Sequence, residues 1–155
     1  MSGKPIPTIR PEHLELIYRQ ARAEFPSECC GYILGDGPQA ELVACENQID
    51  KLHALDPEIY PRTSATAYAI HGKQLIALMT SFDSDKPARI VYHSHPRVGA
   101  YFSEEDTLVA IRSGWEVDYL VVDVQDDEIK EALLFRRVDG QERFEQIARF
   151  DGAAL

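Results

Sequence analysis

Tyr92-His93-Ser94-His95-Pro96, followed after a short loop by Ser103-Glu104-Glu105-Asp106, is the stretch on which the reading of this chain turns. Its first part closes an apolar run from Arg89 to Tyr92 that reads as a strand. Residues two apart on a strand point to the same face, so His93 and His95 aim two imidazoles at one side. Its second part opens a helical pattern over residues 103–113. Ser103 and Asp106 are three apart and share a face of that helix. The same pair reads as a capping box, with Ser at the N-cap and a carboxylate at N3. Seven residues separate His95 from Ser103, short enough to fold the helix start back over the strand end. Two nitrogens and one carboxylate oxygen make a three-ligand set with an open fourth position. That is the composition of a catalytic zinc site; a structural one is closed by four protein ligands.

Outward from this stretch, helices and strands alternate. Pro11 suits the first turn of a helix over residues 11–25, with Leu14, Ile17, Tyr18, Ala21 and Phe25 at helical spacing, and Pro26 ends it. Cys30 to Leu34 and Ala40 to Cys45 flank the turn-rich Gly35-Asp36-Gly37-Pro38 and read as a hairpin. Residues 46–64 show no clean period, carry Pro57 and Pro61, and read as one long loop, a length usually kept for binding. A short extended piece over 67–70 precedes a helix over 72–82 with Leu75, Leu78, Met79 and Phe82 on one face. Glu116 to Val122 and Ile129 to Phe135 read as two more strands; Gln141 to Phe150 fits either helix or strand. The expected fold is a single α/β domain, a mixed central sheet flanked by helices, with its core over about residues 8–137 and a tail over 138–155.

Composition narrows the function classes. The 155 residues are 45% hydrophobic and 27% charged, a globular composition. Acidic residues outnumber basic ones 26 to 16, and a net charge of −10 disfavours nucleic acid and anionic membranes as partners. No apolar run reaches the ~18 residues of a membrane span, and Met1 to His13 holds no apolar leader, so a cytoplasmic location is expected. Cys29, Cys30 and Cys45 form no CxxC pair and read as reduced, packed thiols. His13, His53 and His71 stand alone and read as ordinary histidines.

The pattern His-x-His, seven residues, Ser, two residues, Asp resembles the JAMM (MPN+) zinc metallopeptidase motif at His93, His95, Ser103 and Asp106. Upstream, Pro26-Ser27-Glu28-Cys29-Cys30-Gly31 looks like the family's remaining catalytic element, with Glu28 in place. The resemblance runs from the first helix to about Val122 and implies a cytidine-deaminase-like fold. It implies one Zn²⁺ per chain held by His93, His95 and Asp106, with Glu28 as general base then acid and Ser103 as oxyanion donor. By itself Glu28 reads as a solvated carboxylate at a helix end; the resemblance sets it above Glu24, Glu104 and Glu105.

JAMM enzymes cut after the C-terminal Gly-Gly of ubiquitin-like proteins. A tail without side chains can thread a narrow groove and pair with a strand edge. The 46–64 segment and the 98–102 loop, with Tyr101 and Phe102, are the candidate substrate contacts. The helix from Ser103 leads directly into the next strand, without the insertion of the longer eukaryotic deubiquitinases, so the chain resembles the compact prokaryotic branch. The implied substrate is a ThiS/MoaD-like sulfur carrier ending in Gly-Gly, in cysteine or other sulfur metabolism; a homodimer is compatible with this. The alternatives are a deconjugase of Lys-linked modifiers, or, in a different class, a RadC-like or scaffolding domain without peptidase activity. The acidic charge and the intact motif disfavour the last.

Overall fold

The computed structural model describes residues 4–155, and one six-stranded sheet organises them. In chain order the elements are α1 (Pro11–Glu24), β1 (Cys30–Leu34), β2 (Glu41–Cys45), α2 (Ile49–Leu55), α3 (Gly72–Ser81), β3 (Ala88–Pro96), α4 (Glu104–Ser113), β4 (Asp118–Val124), β5 (Ile129–Arg137) and β6 (Phe144–Ala153). The strands lie in the order β2-β1-β3-β4-β5-β6. Only β3 and β4 run parallel; every other pairing is antiparallel. A parallel pair needs a crossover, and α4 supplies it. The chain is therefore the single α/β domain with a mixed sheet that the sequence predicts.

Alternation along the strands divides the core between two faces. Ile90 and Tyr92 of β3 pack with Leu120 and Val122 of β4 beneath Ile17, Tyr18 and Ala21 of α1. Val91 and Tyr119 face the other way, against Leu78 of α3 and Ala110 of α4. The period of two carries His93 and His95 onto the side of Val91, the side that α4 covers. Glycine is required at Gly31 on β1, where a Cβ would run into the ring and hydroxyl of Tyr92. That ring is fully buried, and its hydroxyl donates to Oε1 of Gln20 on α1 at 2.5 Å.

Several elements depart from expectation. The 46–64 stretch is not one loop, because α2 forms within it. Seven residues with only Ile49 and Leu52 buried are too few to show a period. The helix begins where Asn47 Oδ1 accepts from the Ile49 N–H at 3.1 Å. No strand forms over 67–70. Met79 is exposed, while Leu78 and Ser81 form the buried side of α3. β3 continues past Tyr92 to Pro96, so both histidines lie within the strand. Residues 144–153 are strand: β6 pairs with β5 at the sheet's outer edge.

Candidate metal centre

Two elements bring the predicted ligands together. β3 carries His93 and His95 on one face, both buried. α4 begins with Ser103 as its N-cap, φ −73° and ψ 167°, and its first turn carries Asp106. The capping box forms in full: Asp106 N–H donates to Ser103 Oγ, and Ser103 N–H donates to Asp106 Oδ2, both at 3.0 Å. The cap does more than end the helix. It fixes the Asp106 carboxylate over β3, with Oδ1 3.2 Å from His93 Nε2 and Oδ2 3.2 Å from His95 Nε2. The two Nε2 atoms are 3.1 Å apart.

These separations test the site against a metal ion. Ligand atoms held about 2.0–2.1 Å from a tetrahedral zinc lie about 3.3 Å from one another, close to the spacing found here. The tautomer suits coordination as well. His95 Nδ1 lies 3.0 Å from the Gly99 carbonyl oxygen, an acceptor only, so Nδ1 carries the proton and Nε2 presents its lone pair. His93 Nδ1 is buried without a hydrogen-bond partner. Its ring is held by stacking on Tyr68, with centroids 4.4 Å apart and planes 19° apart. The residues present fit a single divalent ion.

Glu28 stands just before β1, buried to 4% exposure. Its carboxylate and the ligating atoms of His93 and His95 all lie within 4.8 Å of one another, a cluster that can hold a metal ion. Burial pushes the Glu28 carboxyl up to about 7, against the pull of the two imidazoles. Burial also acts to raise Asp106, but both imidazoles outweigh it and hold that carboxyl well below the usual range. Burial lowers His95, and the Asp106 hydrogen bond and charge overcome this to leave it raised. The site thus keeps one carboxylate firmly ionised and another near neutrality, the division expected where two acids take different tasks.

Asn47 is a contact the sequence reading missed. Its Nδ2 donates to the carbonyls of Glu28 (2.9 Å) and Ala67 (3.1 Å), and its Oδ1 accepts from Ala69 N–H (3.0 Å) as well as from Ile49. One amide therefore ties Glu28 to α2 and to the backbone on both sides of Tyr68. Nothing in sequence spacing signals this, because the partners are backbone groups from three segments. Tyr101 stands edge-on to His95, centroids 5.0 Å apart, and is half exposed beside the centre. Phe102 turns away from it and packs among Tyr119, Phe135 and Phe144. Cys29, Cys30 and Cys45 are buried free thiols, and neither they nor His13, His53 and His71 join a metal-holding cluster among the described residues.

A strand-borne His-x-His facing a capping carboxylate, at the carboxyl end of a sheet strand, gives this small α/β domain a buried cluster that could hold a metal ion. The chain belongs to the prokaryotic homologs of the JAB domain, whose family match spans residues 10–137. It is 28% identical over 137 residues to the CysO-cysteine peptidases of Mycobacterium tuberculosis and Mycobacterium bovis, covering 85% of this chain and 83% of theirs. Its fold is similar to the solution structures of proteins from Desulfitobacterium hafniense and Salinibacter ruber. These align with TM-scores of 0.58 and 0.56 at 17% identity, covering 92% of this chain and 90% and 89% of theirs.

Proposed function

We propose that this protein is a zinc-dependent metallopeptidase that hydrolyses the amide or isopeptide bond after the C-terminal Gly-Gly of a ubiquitin-like sulfur carrier, releasing cysteine or a similar adduct. The observation that carries the reading is the convergence of His93 Nε2, His95 Nε2 and the Asp106 carboxylate beside a buried Glu28. The similarity to CysO-cysteine peptidases supports the choice of reaction and substrate class. His93, His95 and Asp106 would hold the ion. When bound, zinc acts as a Lewis acid and lowers the pKa of its water to about 7.

The chain's own groups do the rest. Glu28, with its carboxyl near neutrality, takes a proton from the attacking water and gives one to the leaving nitrogen. Ser103 Oγ accepts from Asp106 N–H through one lone pair, which leaves its hydroxyl proton free to donate to the carbonyl oxygen as charge builds there. Tyr101 borders the centre as a contact for the incoming tail. One water is consumed: the C–N bond breaks, the glycine keeps a carboxylate and the leaving group departs as an amine.

The test uses a recombinant carrier of the ThiS/MoaD type extended to end in Gly-Gly-Cys, followed by mass spectrometry. The zinc-loaded protein is expected to remove the cysteine alone. Glu28→Gln is expected to retain zinc and lose about 10²–10⁴-fold in turnover, the usual worth of a general acid–base. An untrimmed carrier alongside cleavage of a Lys-linked conjugate would instead assign the chain to deconjugation.

A further inference from the structure

Arg62 occupies a place at the centre that no ligand or acid–base role explains. It lies between α2 and α3, two residues before Ser64, whose carbonyl accepts from the Glu28 N–H at 2.7 Å. Ser64 is itself locked, donating to the Asp50 carboxylate through N–H at 2.8 Å and through Oγ at 2.7 Å. Arg62 therefore leaves a fixed point beside Glu28. Its guanidinium reaches the opposite wall: Nη2 is 3.8 Å from Oε1 of Glu105, the neighbour of Asp106 in the first turn of α4. The side chain spans the flank that carries Glu28 and the flank that carries Ser103 and Asp106.

We propose that Arg62 is a specificity-determining residue whose guanidinium binds the free α-carboxylate of the amino acid released from the carrier's Gly-Gly end. This rests on the peptidase reading above and narrows its substrate class. Glu28, Glu104, Glu105 and Asp106 make the surroundings acidic, so a substrate bearing its own carboxylate needs a cation there. In a Gly-Gly-amino acid the carboxyl carbon lies two bonds from the nitrogen released. A Lys isopeptide has only methylene groups at that distance. An arginine fork suits a carboxylate, which it can bind through two hydrogen bonds.

The guanidinium is available for this. At 3.8 Å its pairing with Glu105 is longer than a charged hydrogen bond, and the two side chains are 45% and 49% exposed, so exchanging that partner costs little. Lys51 and Arg97 hold nearer partners, Glu46 at 2.9 Å and Asp126 at 2.8 Å.

The experiment compares two versions of one ThiS/MoaD-type carrier ending in Gly-Gly-Cys, one with a free C-terminal carboxylate and one with a carboxamide. The zinc-loaded wild type is expected to favour the acid by about tenfold in kcat/KM, mostly through KM, as loss of one charged contact implies. In Arg62→Gln this ratio is expected to fall to about one, and Arg62→Lys to recover part of it, since a lysine keeps the charge without the fork. Equal cleavage of acid and amide by the wild type would overturn the assignment while leaving the peptidase reading standing. A variant that lost activity on both alike, with the ratio kept, would give Arg62 a merely structural role and also overturn it. Cleavage of neither substrate by the wild type would overturn the peptidase reading and this one together.

Discussion

Ser103 caps α4, and the proposed function asks the same side chain to serve as a catalytic donor, two roles that are usually weighed as alternatives. The geometry lets both hold, because accepting from Asp106 N–H leaves the hydroxyl proton unused. The two roles carry different magnitudes, and this separates them. Ser103→Ala is expected to lower stability by about 1 kcal/mol, the usual worth of an N-cap, seen by thermal unfolding. It is also expected to lower turnover by about 10²–10³-fold, the usual worth of an oxyanion donor. A variant with the stability loss alone would leave Ser103 a cap only. At this scale the sequence is unusually legible for His93, His95 and Asp106, since a period of two and a period of 3.6 place them without any tertiary knowledge. Asn47, Tyr68 and Arg62 were not legible. Each acts through backbone carbonyls, a ring face or a longer ion pair to a residue distant in the chain, and none belongs to a local pattern.

Among the elements, β1 and β3 show how packing sets a residue type. Gly31 and Tyr92 are directly paired across the two strands, and the Tyr92 ring covers the space that a side chain at 31 would need. Gly31→Ala is expected to destabilise by about 1–3 kcal/mol, the range for overpacking a close-packed interior, measured by denaturant unfolding. Because Tyr92 precedes His93, zinc affinity is expected to fall as well. Unchanged stability and zinc content would show that the ring can move aside at no cost. Helix identity came through in the sequence where a run was long and periodic, as in α1, and strand identity where an apolar run was bounded by turn residues, as in β1. α2 did not, since its seven residues bury only Ile49 and Leu52 and it begins on the Asn47 side chain. The extent of β3 was hidden for a related reason: His93, Ser94 and His95 are polar in a strand that is buried throughout this part, so the apolar run ends before the strand does.

Over the whole molecule, the sheet is tied at the end away from the centre by a buried ion pair. Arg136 on β5 holds Asp118 at the start of β4, Nε–Oδ1 2.8 Å and Nη2–Oδ2 2.7 Å, and also donates to the carbonyls of Lys4 and Pro5. The pair thereby fastens the segment before α1 across the sheet. Asp118→Ala is expected to cost about 3–5 kcal/mol, because it leaves a buried guanidinium charge without its counter-ion. A loss below about 1 kcal/mol, the level of an exposed pair, would mean that water or the Lys4 and Pro5 carbonyls suffice to satisfy Arg136. The same architecture, with β3 at the middle of the sheet and α4 as the crossover to β4, delivers the histidines and the carboxylate to one point. That convergence is most directly tested by metal analysis of the purified protein beside His95→Ala and Asp106→Ala. About one zinc per chain in the wild type and a small fraction of that in both variants is the predicted result for a three-ligand site. Full zinc occupancy in either variant, or none in a folded, zinc-supplemented wild type, would contradict it.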